Sequence, residues 1–161
     1  MWKKNDDEFI ESFRFILPGY NVRPLELEAV IGIEQLKKLP NLIHGRRKNG
    51  ALFQKEMANH PFLMMQKEIS CSSWFGFSLL IRPNSNIKRI ELIKKLKNKG
   101  FEVRPIGVGN FAKSNALKFM DYDIPYKLKN AEYLDKNGLF IGNHHFPISE
   151  AIDEMKQIRN S

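Results

Sequence analysis

The first long block of the chain alternates apolar and polar residues at the spacing of an α-helix. Between residues 24 and 39 the apolar positions recur every three or four residues, at Leu25, Ala29, Ile33, Leu36 and Leu39. Pro24 suits a first helical turn, where its missing N–H would have no partner. Pro40 disfavours a helical conformation at the residue before it. The pattern therefore predicts a kink or restart at Pro40, then a second helix over about 41–58 that His60-Pro61 ends.

The pattern changes after residue 72, where a run of aromatic and aliphatic residues predicts a strand up to about residue 82. Asn86 is expected to N-cap a lysine-rich helix that stops near Gly100. Further strands are predicted at 101–106 and 139–141, short helices at 114–119 and 129–136, and a last helix from Ser149. This order predicts an α+β fold, a small sheet with helices packed on one side.

Composition places the chain among folded domains. Its 161 residues are 42% hydrophobic and 27% charged, which fits one domain with a real core. No apolar run approaches the roughly 20 residues of a membrane span, and Met1–Glu8 lacks the apolar region of a secretory signal. The single cysteine, Cys71, excludes an internal disulfide and is interpreted as interior or edge packing. These features predict a cytoplasmic protein without a membrane partner.

The formal charge of +8 and a pI near 9.6 raise nucleic acid or another anion as a partner. Four of the basic residues, Lys94, Lys95, Lys97 and Lys99, share a predicted helix with Ile90, Leu92, Ile93 and Leu96. They are interpreted as the solvent-exposed face of that helix, and no nucleic-acid-binding motif accompanies them. A non-catalytic basic α+β module that binds nucleic acid or another anion is kept as the alternative function.

Two residues lie just ahead of the first predicted helix, where a bound anion is physically reasonable. Asn21 and Arg23 place an amide and a guanidinium beside the free N–H groups of a helix start. The alternative is a plain turn and helix with Arg23 in solvent.

Two other segments carry polar residues that could do chemistry. The loop Gly107-Val108-Gly109-Asn110 lacks the full dinucleotide-binding pattern and also fits a merely flexible loop. In Gly142-Asn143-His144-His145 the histidines would point different ways on a strand, so no metal site is predicted. The structural alternative is that one of these imidazoles is packed in the interior and the other is exposed. Nothing around Cys71 resembles a nucleophile motif.

Four segments, taken in order, resemble one family. These are Gly19-Tyr20-Asn21-Val22-Arg23 with its helix, Ser73–Phe77, Arg104–Phe111 and Gly142–His145. They are similar to the DegT/DnrJ/EryC1/StrS family of sugar-nucleotide aminotransferases and dehydratases, which use pyridoxal 5′-phosphate (PLP). The 3-dehydratase branch is the best match. The resemblance covers roughly residues 16 to 155.

The resemblance implies the small C-terminal domain of an aspartate-aminotransferase-like (fold type I) PLP enzyme. Residues 1–17 would then be a connector from a missing N-terminal domain, and residues 18–161 the small domain with its leading helix. The lysine or histidine at the cofactor belongs to that missing domain. We therefore expect no catalytic residue in this chain, which would be inactive by itself.

The resemblance also implies a substrate and partners. The complete enzyme would act on a 4-keto-6-deoxy nucleotide sugar, by 3-dehydration or by transamination, in deoxysugar, O-antigen or polysaccharide biosynthesis. PLP would be held mainly by the missing domain, and the chain would form a homodimer or join a complementing N-terminal chain.

The family motifs also carry expected site residues. Asn21 matches an asparagine that reaches the PLP phosphate of the neighbouring subunit, and Arg23 a position that faces the substrate. The other candidates for substrate binding are Trp74, Arg104, Asn110 and His144.

Overall fold

The computed structural model describes residues 7–20 and 23–158. Its helices are α1 (Glu8–Glu11), α2 (Glu26–Met57), α3 (Arg89–Asn98), α4 (Lys129–Asn137) and α5 (Ser149–Lys156). Its strands are β1 (Leu63–Met65), β2 (Gly76–Ile81), β3 (Val103–Arg104) and β4 (Gly138–Gly142), and 3₁₀ turns lie at Phe111–Lys113 and Asn115–Phe119. The α+β class predicted from the sequence is confirmed.

The four strands form one antiparallel sheet in the order β1-β2-β4-β3. Phe77 pairs with Ile141 and Leu79 with Leu139, so their side chains share one face, which is buried. Ser78 and its partner Phe140 point to the opposite, half-buried face. We call this second side the open face of the sheet.

The buried face packs against three helices. The ring of Phe53 in α2 stacks on Phe77 with centroids 3.8 Å apart and planes inclined by 8°. The other helical core residues are Met57 of α2, Leu92, Ile93 and Leu96 of α3, and Ile152 and Met155 of α5. Each such side chain contributes roughly 1.5–3 kcal/mol relative to an exposed position. This core holds the sheet and the second half of α2 together.

Helix α2 runs unbroken through Pro40 for 32 residues, so the predicted kink or restart is wrong. Proline removes the N–H that would pair with the carbonyl of Leu36, but both residues are exposed, so water can reach that carbonyl. Glu28 also stabilises the helix start by accepting from the backbone N–H of Leu25 at 3.0 Å. The apolar side chains of the first half are between 54% and 68% exposed at Leu25, Leu27, Val30, Ile31, Ile33 and Leu36.

Three other elements differ from the sequence prediction. Strand β1 was not predicted, because three residues without β-branching carry little strand signal until they pair with β2. Helix α3 is N-capped by Lys88 and not by Asn86, since Ile87 is buried in the core ahead of the first turn. The helix expected at 114–119 is a 3₁₀ turn capped by Ser114.

The N-terminal segment packs against the body of the domain. Phe9 of α1 is buried, and the guanidinium of Arg89 lies 5.2 Å from the centroid of its ring. Arg89 also donates to the carbonyls of Asp135 and Gly138, at the junction of α4 and β4. Phe9 is therefore part of the core, and the role of residues 1–17 as a connector stays a prediction. In the part of the chain that the structure describes, no helix is long and apolar enough to cross a membrane.

His60 is a buried titratable group between α2 and β1. Its ring meets the ring of Phe62 edge-on at 4.5 Å, and neither ring nitrogen has a hydrogen-bond partner. Its backbone carbonyl accepts from Nε of Arg82 at 3.3 Å. Burial, and secondly the charge of Arg82, lower the pKa of His60 from its ordinary value. The folded chain therefore holds a neutral imidazole here.

We expect the domain to lose stability in mild acid because of His60. As the pH falls through about 6.5, the unfolded chain takes up a proton that the folded chain does not, so stability present at higher pH is lost by at most about 1.4 kcal/mol per pH unit. Urea unfolding of the wild type and of His60→Leu at pH 7.5 and 5.5 measures this. The exposed His44, changed to leucine, is the control. An equal acid loss in wild type and His60→Leu would contradict the assignment.

Candidate functional site

Two buried asparagines join three segments of the chain. Nδ2 of Asn143, just after β4, donates to the backbone carbonyls of Trp74 at 2.8 Å and of Arg46 at 3.1 Å. Nδ2 of Asn49, on α2, donates to the carbonyls of His144 at 2.8 Å and Phe146 at 2.7 Å, and lies 3.3 Å from Oδ1 of Asn143. We call this pair the Asn49–Asn143 junction. It connects α2, the turn before β2 and the loop after β4.

Glycines let α2 lie directly against both loops of the junction. A Cβ at Gly50 would be 2.6 Å from the indole of Trp74, and one at Gly45 would be 2.0 Å from the carbonyl oxygen of His145. Both distances are shorter than van der Waals contact, and the second partner is backbone, which cannot easily move. The close approach therefore depends on the missing side chains.

Trp74 adopts a backbone conformation that side chains rarely take. Its φ is 53°, in the left-handed region, which costs of order 1–3 kcal/mol for a residue other than glycine. Two hydrogen bonds stabilise this strained conformation. Asn143 donates one to the Trp74 carbonyl, and the Trp74 N–H donates the other to Oγ of Ser72 at 2.9 Å. The indole points into the core, so substrate contact by Trp74 stays a prediction. The next ring, Phe75, is turned outward and is 69% exposed.

His144 and His145, in the loop after β4, are both exposed. The alternative in which one imidazole is packed in the interior and the other is exposed is therefore wrong. The ring of His144 stacks on Phe146 with centroids 3.8 Å apart, and the ring of His145 lies 4.6 Å from His144. Partial desolvation, then the charges of His145 and Arg46, lower the pKa of His144. A neutral imidazole at this place can donate and accept a proton near neutral pH.

Arg104 and Asn110 have different surroundings. Nε of Arg104, on β3, donates to Glu102 at 2.8 Å, and its guanidinium lies 5.9 Å from the ring centroid of Phe13. Asn110 is buried, and its side-chain oxygen accepts from the N–H of Ala112 at 3.2 Å as the cap of a 3₁₀ turn. Asn110 thus has a local structural role, and contact with substrate stays a prediction for both.

Arg23, ahead of α2, lies far from this loop. Arg23 is exposed, and Asn21 lies outside the described residues. Along the helix, about twenty residues separate the start of α2 from Arg46, or about 30 Å at 1.5 Å per residue. Within this chain, the structure therefore does not bring Arg23 to His144.

A cavity of about 340 Å³ opens beside β4 and brings several candidates together. Its polar lining includes Glu102, Arg104, Asn143 and His144, and its aromatic walls include Phe75, Phe77, Phe101 and Phe140. That volume lies within the range of small-molecule sites, which are mostly apolar with a few polar groups. Sequence reasoning missed Phe75 and Phe140. The signal for Phe140 was the alternation along β4, whereas Phe75 lies ahead of β2, where the turn at Trp74 breaks the alternation.

Cys71 is exposed, so the prediction of interior or edge packing is wrong. Its sulfur accepts from Nη2 of Arg47 at 3.3 Å, and this bond raises the pKa of Arg47. Among residues 7–20 and 23–158, no three His, Cys, Asp or Glu side chains converge as metal ligands.

Comparison with known proteins identifies the family. The family model described as the DegT/DnrJ/EryC1/StrS aminotransferase family matches residues 1–156. The chain belongs to this family. Among curated proteins, the GDP-4-keto-6-deoxy-D-mannose 3-dehydratase of Escherichia coli O55:H7 is 51% identical over 156 residues. That match covers 96% of this chain but 40% of the relative.

Solved structures agree with the family assignment. An E. coli GDP-4-keto-6-deoxy-D-mannose-3-dehydratase with bound hydrated PLP superposes with a TM-score of 0.81 at 52% identity. A mutant of a GDP-4-keto-6-deoxymannose-3-dehydratase with bound GDP-perosamine matches with the same TM-score and identity. Each match covers 96% of this chain and 40% of the other. The chain thus spans about two fifths of the length of these relatives, and the fold is that of PLP-dependent aminotransferase-like enzymes.

We expect the change Asn143→Asp to destabilise the domain strongly. A carboxylate of the same shape cannot donate to the carbonyls of Trp74 and Arg46, and it buries a charge beside two carbonyl dipoles. The loss should be at least about 2–3 kcal/mol. Urea unfolding at pH 7.5 measures it, with the exposed Asn84→Asp as the matched control. Equal losses in the two variants would show that the junction does not stabilise the fold.

Proposed function

We propose that this chain is the C-terminal part of a PLP-dependent enzyme that removes the 3-hydroxyl of GDP-4-keto-6-deoxymannose in deoxysugar and surface-polysaccharide synthesis. The observation that carries the proposal is the 51% identity to an E. coli 3-dehydratase across 96% of the chain. A structural match that also covers 96% of the chain, to a dehydratase with bound GDP-perosamine, supports GDP as the nucleotide of the substrate. Transamination of a related sugar is the second reaction that the family allows.

The described residues do not by themselves fit PLP. A Schiff-base lysine works from a desolvated pocket, whereas every described lysine is exposed except the half-buried Lys95. His60 is buried but faces Phe62 and Arg82 in the core and does not line the cavity beside β4. We therefore assign the cofactor to the part of the relatives that this chain does not span.

The chain is proposed to work in an assembly, either as a homodimer or with a complementing PLP-binding chain. The support is the apolar first half of α2, whose leucines and isoleucines up to Leu36 are more than half exposed. Contiguous apolar surface of this kind marks an interface. The cytoplasm is the proposed location.

Four of the sequence candidates keep their proposed roles within that assembly. Asn21 would contact the PLP phosphate, and Arg23 the substrate. Arg104 and His144 are supported by their place at the cavity beside β4. Trp74 and Asn110 are proposed to act only through the positions of their neighbours, since both are buried.

We expect the isolated chain to bind no PLP and the completed enzyme to be active. Mixed with PLP and passed through gel filtration, the chain should retain no cofactor absorbance. Joined to the upstream part of the E. coli relative and supplied with glutamate as amino donor and reductant, it should remove the 3-hydroxyl of GDP-4-keto-6-deoxymannose, as read by mass spectrometry. The upstream part alone is the control. A folded fusion that holds PLP and leaves this substrate unchanged would refute the function.

In the same fusion, Arg23→Gln should weaken substrate use and leave folding intact. Arg23 is exposed, so its loss should change stability by less than about 1 kcal/mol. Loss of a charge-assisted contact should raise KM roughly ten- to a hundredfold. The exposed Lys37→Gln on α2 removes the same charge as a control. Identical kinetics in both variants would leave Arg23 as a solvated residue.

A further inference from the structure

A second cavity lies between α2 and the segment that leads from β4 into α5. Its volume is about 590 Å³. We call this space the α2–α5 cleft. No aspartate or glutamate is among the described residues that line it. The polar side chains in its lining are those of Asn41, His44, Lys48, Asn49, His145 and Ser149.

His44 and Lys48 leave the same face of α2. They are four residues apart, a spacing that places the Cβ atoms of a helix about 5–6 Å from each other. Both side chains are exposed, and none of the ion pairs among the described residues involves Lys48. The ammonium group of Lys48 is therefore available to a ligand in the cleft.

The loop after β4 holds His145 against this face of α2. The carbonyl oxygen of His145 lies so close to the helix that a Cβ at Gly45 would be 2.0 Å from it. Nδ2 of Asn49 donates to the carbonyls of His144 and Phe146, the residues on either side of His145. The backbone that carries His145 is thus fixed at both flanking residues. A donor held in this way loses less conformational entropy when it binds a ligand.

The start of α5 brings further donors to the cleft. Ser149 is the first residue of this helix, and it lines the cleft. The N-cap residue, Ile148, has no side-chain acceptor for the N–H groups of the first turn. Such N–H groups and the dipole of the helix favour an anion. They reinforce the positive potential that Lys48 provides in the same space.

The donors of the cleft suit a phosphate group better than a metal ion or a carboxylate. Two imidazoles fall short of the three or four ligands of a zinc site, and no third metal-binding side chain converges with them in the described part of the chain. A phosphate ester carries nearly two negative charges at neutral pH and three acceptor oxygens. It can therefore accept from Lys48, His145 and Ser149 together, whereas a carboxylate has two oxygens.

We propose that the α2–α5 cleft binds a phosphate group, free or as the monoester of a small molecule, through His44, Lys48 and His145. None of these three residues was assigned to the sugar-nucleotide substrate. The loop after β4 contributes His144 to the cavity beside β4 and His145 to the cleft. A phosphate bound at His145 therefore stabilises the loop that also lines the other cavity.

The first test is an NMR titration of the 161-residue chain with inorganic phosphate at pH 7 and constant ionic strength. The imidazole signals of His44 and His145 should shift saturably with phosphate and not with chloride at the same ionic strength. The signals of the buried His60 should stay in place. Glycerol 3-phosphate distinguishes the two forms of the ligand, because tighter binding than that of inorganic phosphate supports an ester and weaker binding supports free phosphate.

Variants of exposed residues test the cleft without disturbing the core. Lys48→Gln should weaken phosphate binding about tenfold, because it removes a charge-assisted contact, and His145→Gln about three- to tenfold. The matched control is Lys55→Gln, which removes the same charge from an exposed position of α2 outside the cleft. Its affinity should stay within about twofold of the wild type. The His60 signals of each variant report whether it is folded.

Two results would overturn the phosphate site. One is the absence of a saturable shift at millimolar phosphate, and the other is an equal loss of affinity in Lys48→Gln and Lys55→Gln. Shifts of His44 and His145 with zinc but not with phosphate would show a metal-binding pair and would also overturn it. Because the titration contains no sugar nucleotide, its outcome is independent of the proposed dehydratase reaction.

Discussion

The arrangement of this domain depends on the two buried amides of Asn49 and Asn143. Together they satisfy four backbone carbonyls that belong to three separate segments. Buried polar groups of this kind are costly when unpaired and specify one arrangement when fully paired. The strained turn at Trp74 and the glycine contacts of α2 are tolerable because the junction holds the segments at fixed separation. The same amides that stabilise the fold thereby fix the place of Phe75 and His144.

The sheet shows how one strand can serve both a core and a surface. In β2 and β4 the residues that point one way, such as Phe77 and Ile141, are buried under helices. The residues that point the other way include Phe140, which stacks with Phe75 just ahead of β2. Because alternation is fixed by the backbone, the core residues determine which aromatic rings face outward. The helices that cover the core therefore also decide which rings the open face presents.

Much of the fold could be predicted from local patterns, and most of the site could not. Helices α4 and α5 and strand β4 begin and end close to where periodicity and turn residues indicated, because their signals are local. The unbroken α2, the pairing of β1 and the inward indole of Trp74 depend on contacts between distant residues. The family motifs contain Arg104 and His144, which the structure places beside one cavity, and their contact with substrate stays a prediction. They gave no sign that Asn143, next to His144, holds the loop in place.

The length of helix α2 allows it to transmit movement from one end to the other. Only its C-terminal half is embedded in the domain, yet its 32 residues make a rod of about 48 Å. If another domain binds the exposed N-terminal half of α2, the helix acts as a lever whose short arm ends at the Asn49–Asn143 junction. A tilt of about 5° would displace a point about 30 Å along it by roughly 2.6 Å. Movement at the far end would then carry Arg46, Phe75 and His144 together as one rigid body.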